Sequence, residues 1–236
     1  EVCYSTKKSY MQYVQTGRDV VDKLEEFDDS FYRSEKTYVR TVNDNAGFGL
    51  RGITHSSSVM NAKCLKFIEA MGYVSSSYYS RYEGNTPISD SLLGIKYVLD
   101  NGTNENTLNP DYEFQFSHTC KDQSEKDMEV NVYKNPDALA IGYMVSNDIT
   151  RVGSFGNDNP FNSQNILMSS VSGHTEFDPV TNDFVSWREY FEPLQVTQGL
   201  RLNEVHSEPY GTQTNYRADE DAVDPTVDIF IEAKNS

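Results

Sequence analysis

Ser91-Leu92-Leu93-Gly94-Ile95-Lys96-Tyr97-Val98-Leu99 is an apolar run of strand length, and Asp100-Asn101-Gly102 behind it is a turn signal. Together they predict a strand over residues 91–99. Upstream, Phe31-Tyr32-Arg33-Ser34-Glu35-Lys36-Thr37-Tyr38-Val39 has the aromatic and β-branched content of a second strand. Downstream, Tyr112 to Phe116 alternates as a short strand within a polar, loop-rich region spanning residues 103–126, and Glu129 to Tyr133 reads as another. An Asn135-Pro136-Asp137 turn follows, and the apolar run from Ala138 to Val145 is again of strand length.

Helical patterns surround these strands. Tyr10, Tyr13, Val14, Gly17, Val20, Val21 and Leu24 recur at offsets of three and four, drawing one apolar stripe over residues 9–26, with Arg18, Asp19, Asp22 and Lys23 on the wet face. Asp28-Asp29-Ser30 ends that helix. After a glycine-bearing loop from Asn43 to Gly52 comes a helix carrying Met60, Cys64, Leu65, Ile68 and Met71 on one side. Ser57 or Ser58 suits its cap, and Gly72 its left-handed end. The Tyr-rich residues 73–84 are ambiguous. Pro160 just inside a start and Gly173 at a stop mark a further short helix. Beyond it Leu194-Gln195-Val196, Leu200 to Val205 and Thr226 to Ile231 read as strands, with an acidic loop (Asp219, Glu220, Asp221, Asp224) before the last. The expected class is α+β: a mixed sheet flanked by helices over residues 1–175, then a β-rich, sandwich-like, truncated segment over 176–236, separate or part of the same domain.

Composition narrows the function classes. The chain has 236 residues and is rich in aromatics, with 16 Tyr and 12 Phe, which is folded-protein content for one large domain or two small ones. A net charge of −16, with Lys7-Lys8 the one adjacent basic pair, disfavours nucleic acid and anionic membrane surfaces. Cys3, Cys64 and Cys120 show no CxxC or Cys/His spacing, and Cys64 is expected as a small buried hydrophobe. Asn101-Gly102-Thr103 is a formal glycosylation sequon. There is no run of about 18 apolar residues and no signal-peptide pattern. With Glu1 at one end and Asn235-Ser236 after a strand-like run at the other, the expectation is a segment of a longer polypeptide.

Candidate chemistry is weak throughout. Gly47-Phe48-Gly49-Leu50-Arg51-Gly52 satisfies GxGxxG, but no helix follows it directly, so a glycine-rich turn is favoured over a dinucleotide site. His55, His118, His174 and His206 have no metal-ligand spacing, and no serine lies in a GxSxG elbow. The acidic loop lacks EF-hand spacing. No catalytic, cofactor-binding or metal residue is assigned, and no cofactor is expected.

An ordered series of segments resembles the YfhO family of bacterial membrane proteins. Phe31-Tyr32-Arg33-Ser34-Glu35 is similar to its FYR-x-E element, and Gly49-Leu50-Arg51-Gly52-Ile53 with Ser56-Ser57-Ser58 and Asn61 to its G-x-x-G-I…S-S-x-x-N stretch. Met71-Gly72-Tyr73 resembles its L-G-Y helix end, and Ser91 to Tyr97 its S-L-L-G-[IV]-K-Y motif. Val132-Tyr133-Lys134-Asn135 with Ala138 to Val145, then Asn159-Pro160-Phe161 with Gln164-Asn165, continue the series; Ala140 replaces a usual proline and His55 a common aromatic. The resemblance implies an extracytoplasmic domain of a multi-spanning protein like the GT-C glycosyltransferases. It further implies a lipid-linked (polyprenyl-phosphate) sugar donor and a cell-envelope glycopolymer acceptor such as teichoic acid. Catalytic acids would lie in a loop outside this chain, and membrane attachment would come through flanking transmembrane helices. The alternatives are a free-standing carbohydrate-binding or adhesin module, with exposed Tyr and Trp187 as stacking candidates, and an independent hydrolase.

Overall fold

The computed structural model describes residues 6–103, 108–121, 126–152, 160–173, 175–177, 184–186, 200–208 and 211–218. The chain divides into two compact units, Glu1–Tyr143 and Met144–Ser236.

The first unit opens with helix α1, Lys7–Phe27, whose first turn is capped by Thr6 Oγ1 accepting from Ser9 N at 3.2 Å. Val14, Gly17, Val20, Val21 and Leu24 form its buried stripe as the periodicity predicts, while Tyr10 stays exposed at its outer end. Strand β1 is Arg33–Lys36, short helix α2 is Asp44–Phe48 and β2 is His55–Ser56. Helix α3, Ala62–Ala70, leads to β3 at Ser75–Ser76 and β4 at Tyr79–Ser80. Helix α4, Pro87–Leu92, precedes β5 at Ile95–Asp100, and the unit ends with β6 at Glu113–Lys121 and β7 at Asp127–Lys134.

A four-stranded sheet runs in the order β1-β5-β7-β6: β1 lies parallel to β5, and the other pairings are antiparallel. The class is therefore mixed-sheet α+β. Val20, Val21 and Leu24 pack with Tyr97, Leu99, Val130 and Val132 in one core. Val98, of opposite parity on β5, is fully buried too, so the central strand is covered on both faces. A second, small antiparallel sheet joins β2, β4 and β3.

In the second unit, Asn147–Arg151 is a 3₁₀ turn and α5 is Pro160–Ser172, followed by Gly173 at φ +75, as expected. Strands β8 (Thr175–Phe177) and β9 (Phe184–Ser186) pair antiparallel, as do β10 (Leu200–Glu208) and β11 (Gly211–Ala218). This is the β-rich content anticipated after residue 175. The strands expected at Leu194–Val196 and Thr226–Ile231, the acidic loop from Asp219 and Trp187 lie outside the described residues.

Local chemistry corrects several expectations. The 91–99 run is split between helix and strand. Thr86 and Ser89 form a reciprocal capping box (Ser89 N to Thr86 Oγ1 3.1 Å, Thr86 N to Ser89 Oγ 2.9 Å), and Pro87 pre-sets the first turn. The helix so launched absorbs Ser91 and Leu92, and Gly94 at φ +66 turns the chain into β5. The 43–52 loop contains α2. Helix α3 starts later than read, because Asn61 Oδ1, not a serine, accepts from Lys63 N (2.9 Å) and Cys64 N (3.3 Å). Its inward residues are then Leu65, Ala70 and Met71, which leaves Cys64 exposed rather than buried. Strand β6 outruns the expected 112–116 because it pairs with β7 along its length. Ala138–Val145 is no strand: no described strand pairs with it, and Tyr143, Met144 and Val145 are exposed.

Gly94 meets two demands at once, since a Cβ there would sit 2.8 Å from the Leu139 carbonyl oxygen. Gly49 has φ +92 but open space around it. Gly94→Ala should lower stability by about 1–3 kcal/mol and Gly49→Ala by less. Urea unfolding midpoints would show it, and equal shifts would mean that the Leu139 carbonyl gives way freely.

Candidate functional site

The most ordered chemistry in the first unit is a set of buried carboxylates, each ringed by donors. Glu35, on β1, is fully buried. Its Oε1 accepts from the backbone N–H of Ile53 and from Thr54 N at 2.7 Å; its Oε2 accepts from Asn45 Nδ2 and Thr54 Oγ1, both at 3.1 Å. Strand β1, helix α2 and the loop after it are thereby tied to one side chain. Burial pushes the Glu35 carboxyl above the usual range, and these donors pull it partly back. Gly52 has no room for a side chain, because a Cβ would overlap the Glu35 carboxylate and the Asn45 amide.

Beside it, Lys36 is buried against Asp44, 3.3 Å from Oδ2, and donates to the Tyr38 carbonyl at 2.6 Å. Asp44 also accepts from Tyr13 OH (2.7 Å), Arg40 N (2.7 Å), Thr41 N (3.0 Å) and Thr41 Oγ1 (2.7 Å). Burial alone would raise Asp44; the hydrogen bonds from Thr41, Arg40 and Tyr13 outweigh it and hold the carboxyl below the ordinary range. Burial pulls the Lys36 ammonium down, opposed by Asp44 and Glu35.

Asp90, on α4, is fully buried and accepts from the hydroxyls of Tyr73 (2.6 Å), Tyr82 (2.8 Å) and Tyr112, and from Asn85 Nδ2 (3.2 Å). Burial keeps its carboxyl raised despite them. Asp28, past the end of α1, pairs with Lys96 and accepts from Tyr97 OH at 2.8 Å and Ser30 N at 3.0 Å. Partial burial works against its ionisation, and the bonds from Lys96, Ser30 and Tyr97 win, holding it low.

What this locked interior displays is a partly aromatic rim. Phe31 is 69% exposed, the Arg51 guanidinium lies 5.3 Å from its ring centre, and Arg51 pairs with Glu25 at 3.1 Å. On the small sheet Tyr78 is 57% exposed and stacks edge-on with Tyr79, which Arg81 covers at 5.4 Å.

Among the described residues the sequence candidates do not come together in one centre. Of the GxGxxG glycines, Gly47 lies within α2 against Val14, Gly49 is the left-handed end of α2, and Gly52 abuts Glu35. His55 is exposed on β2, His118 lies on β6, and the surroundings of His174 and His206 are outside the described residues. Among the described residues no three His, Cys, Asp or Glu side chains converge in a metal-binding group. Sequence reasoning missed the roles of Lys36, Asp44 and Asp90. The one usable signal was Glu35 inside the Phe31–Glu35 motif. Asn135, another motif residue, donates to the Ile95 carbonyl and Ser91 Oγ, both at 3.3 Å, locking the turn after β7 onto the start of β5.

The Lys36–Asp44 pair gives an asymmetric expectation. Asp44→Ala strands a buried ammonium and should cost about 3–5 kcal/mol, whereas Lys36→Met leaves Asp44 its other donors and should cost less. The double variant should be more stable than Asp44→Ala alone, and chemical denaturation of the three variants tests this.

The acid limb of stability has a definite sign. Asp28 and Asp44, held low, contribute stability above the ordinary carboxylate range that is lost as pH falls through their folded values. Glu35 and Asp90, held high, do the reverse: the unfolded chain releases their protons first, so stability declines as pH climbs from the ordinary range towards their folded values. Asp28→Asn should flatten the acid-side loss in a urea-midpoint profile against pH, and an unchanged acid limb would refute the assignment.

Comparison with curated proteins finds no match, and neither does comparison with solved structures. No described helix is long and apolar enough to cross a membrane. The family model described as bacterial membrane protein YfhO matches residues 1–233, nearly the whole chain, in accord with the ordered motifs whose buried members are now accounted for. On that match the chain belongs to the YfhO family of bacterial membrane proteins.

Proposed function

We propose that this chain is the extracytoplasmic part of a multi-spanning protein that uses a polyprenyl-phosphate sugar donor to glycosylate a cell-envelope polymer of the teichoic acid type. Its role is accessory: it positions the acceptor, and the transfer belongs to membrane-embedded segments outside this chain. A lipid-linked donor keeps its phosphate at the membrane interface, so the chemistry takes place there and the acceptor must be brought to it.

The observation that carries the reading is the rim at Phe31. An exposed aromatic face beside the Arg51–Glu25 pair suits a sugar ring, whose C–H face stacks while its hydroxyls meet charged donors and acceptors. The −16 charge repels a polyphosphate at long range, so contact is local and short-ranged.

The test uses the full-length membrane protein with Phe31→Ala and Arg51→Ala. Transfer of labelled sugar should show an acceptor KM raised about tenfold, the equivalent of roughly one lost stacking contact, with donor KM unchanged. An unchanged acceptor KM would remove the positioning role. The open reading frame should also encode flanking apolar helices of about 20 residues each. A gene without them, together with glycan binding by the chain alone, would replace this reading with a free-standing carbohydrate-binding module.

A further inference from the structure

The end of β5 carries a chemical arrangement that the functional reading does not use. Asn101-Gly102 is the one Asn-Gly pair in the chain. Asp100 is held by Thr37, whose Oγ1 donates to Asp100 Oδ1 at 2.5 Å, while Asp100 Oδ2 accepts from the backbone N–H of Gly102 at 3.2 Å. On the other side, Asn101 Oδ1 accepts from both Thr103 Oγ1 (2.6 Å) and Thr103 N (3.2 Å). The Asn101 amide nitrogen faces the Met128 sulfur at 3.9 Å, a weak contact that is cheap to lose. Gly102 has φ +71 and open space around it, so nothing crowds the turn.

We infer that Asn101 is a built site of self-modification, at which the folded chain converts its own asparagine to aspartate and isoaspartate. The Gly102 nitrogen is the nucleophile and the Asn101 side-chain carbonyl carbon the electrophile. Asp100 Oδ2 accepts the Gly102 proton as the N–C bond forms, which is general-base assistance from a group already hydrogen-bonded to that proton. Negative charge develops on Asn101 Oδ1, where two Thr103 donors wait. The bond from the side-chain carbon to the amide nitrogen breaks, the proton returns to that nitrogen, and ammonia leaves a five-membered succinimide. Water then opens the ring: cleavage at the side-chain carbonyl gives aspartate, and cleavage at the backbone carbonyl gives isoaspartate. No oxidant or further reagent is needed. Either product places a second carboxylate beside Asp100, and the isoaspartate product also reroutes the backbone at the end of a central strand.

The folded full chain, incubated in mildly alkaline buffer, is mapped by peptide mass spectrometry that separates aspartate from isoaspartate, beside the same chain held unfolded in guanidinium chloride. Asn101 should convert faster folded than unfolded, and ahead of every other asparagine. Thr103→Val and Asp100→Ala should each slow the folded chain on the order of tenfold, the scale of losing one group that assists the reacting atoms. A folded rate equal to or below the unfolded rate would overturn the inference without any variant. Unchanged rates in both variants, with folding confirmed by circular dichroism, would overturn it as well.

Discussion

A carboxylate taken out of water must be met by donors, and this requirement at Glu35 organises much of the first unit. The side chain has four acceptor directions, and the protein fills them from helix α2 and from the loop after it. That loop can approach only because Gly52 has no side chain. Glu35 therefore fixes where the loop runs, and with it the Arg51 position above Phe31. A buried charge is costly, and its value lies in specifying one arrangement: alternatives would leave the charge unmet.

The same logic recurs at Asp44 and Asp90. Asp44 closes the turn after β1 by collecting the Arg40 and Thr41 amides, then joins that turn to α1 through Tyr13. Asp90 gathers three tyrosine hydroxyls, from the end of α3, from the segment after β4 and from the approach to β6. Five tyrosines, Tyr13, Tyr73, Tyr82, Tyr97 and Tyr112, thus serve polar junctions, where the ring supplies apolar area and the hydroxyl supplies a donor. The residues that make the family recognisable, among them Glu35, Gly52, Gly94 and Asn135, serve the scaffold. Among the large apolar side chains that the scaffold leaves exposed are Phe31 and Tyr78.

The central sheet rests on a parallel pair, β1 with β5, extended by the antiparallel β7 and β6. Helix α1 covers one face with an uninterrupted apolar stripe, which is why its limits and its buried side could be read from spacing alone. The 91–99 run shows the opposite case. Its apolar content is the same in a helix turn as in a strand, and the decision was made upstream, by the Thr86–Ser89 capping box and Pro87. Ala138–Val145 has strand composition but finds no edge to pair with among the described strands.

The amino-acid sequence alone determined the helix stripe of α1, the position of α5, the strand identities of β1, β5 and β7, and the family. Those are properties of local spacing and of ordered motifs, which need no partner to be legible. Tertiary structure alone decided that Glu35, Asp44 and Asp90 are interior junctions, that Cys64 faces water, and that Ser91-Leu92 belongs to a helix. A charged residue looks the same in sequence on a surface and in a core. What separates the two is whether distant donors such as Thr54, Tyr13 and Tyr112 arrive to surround it, and only the folded chain brings them together.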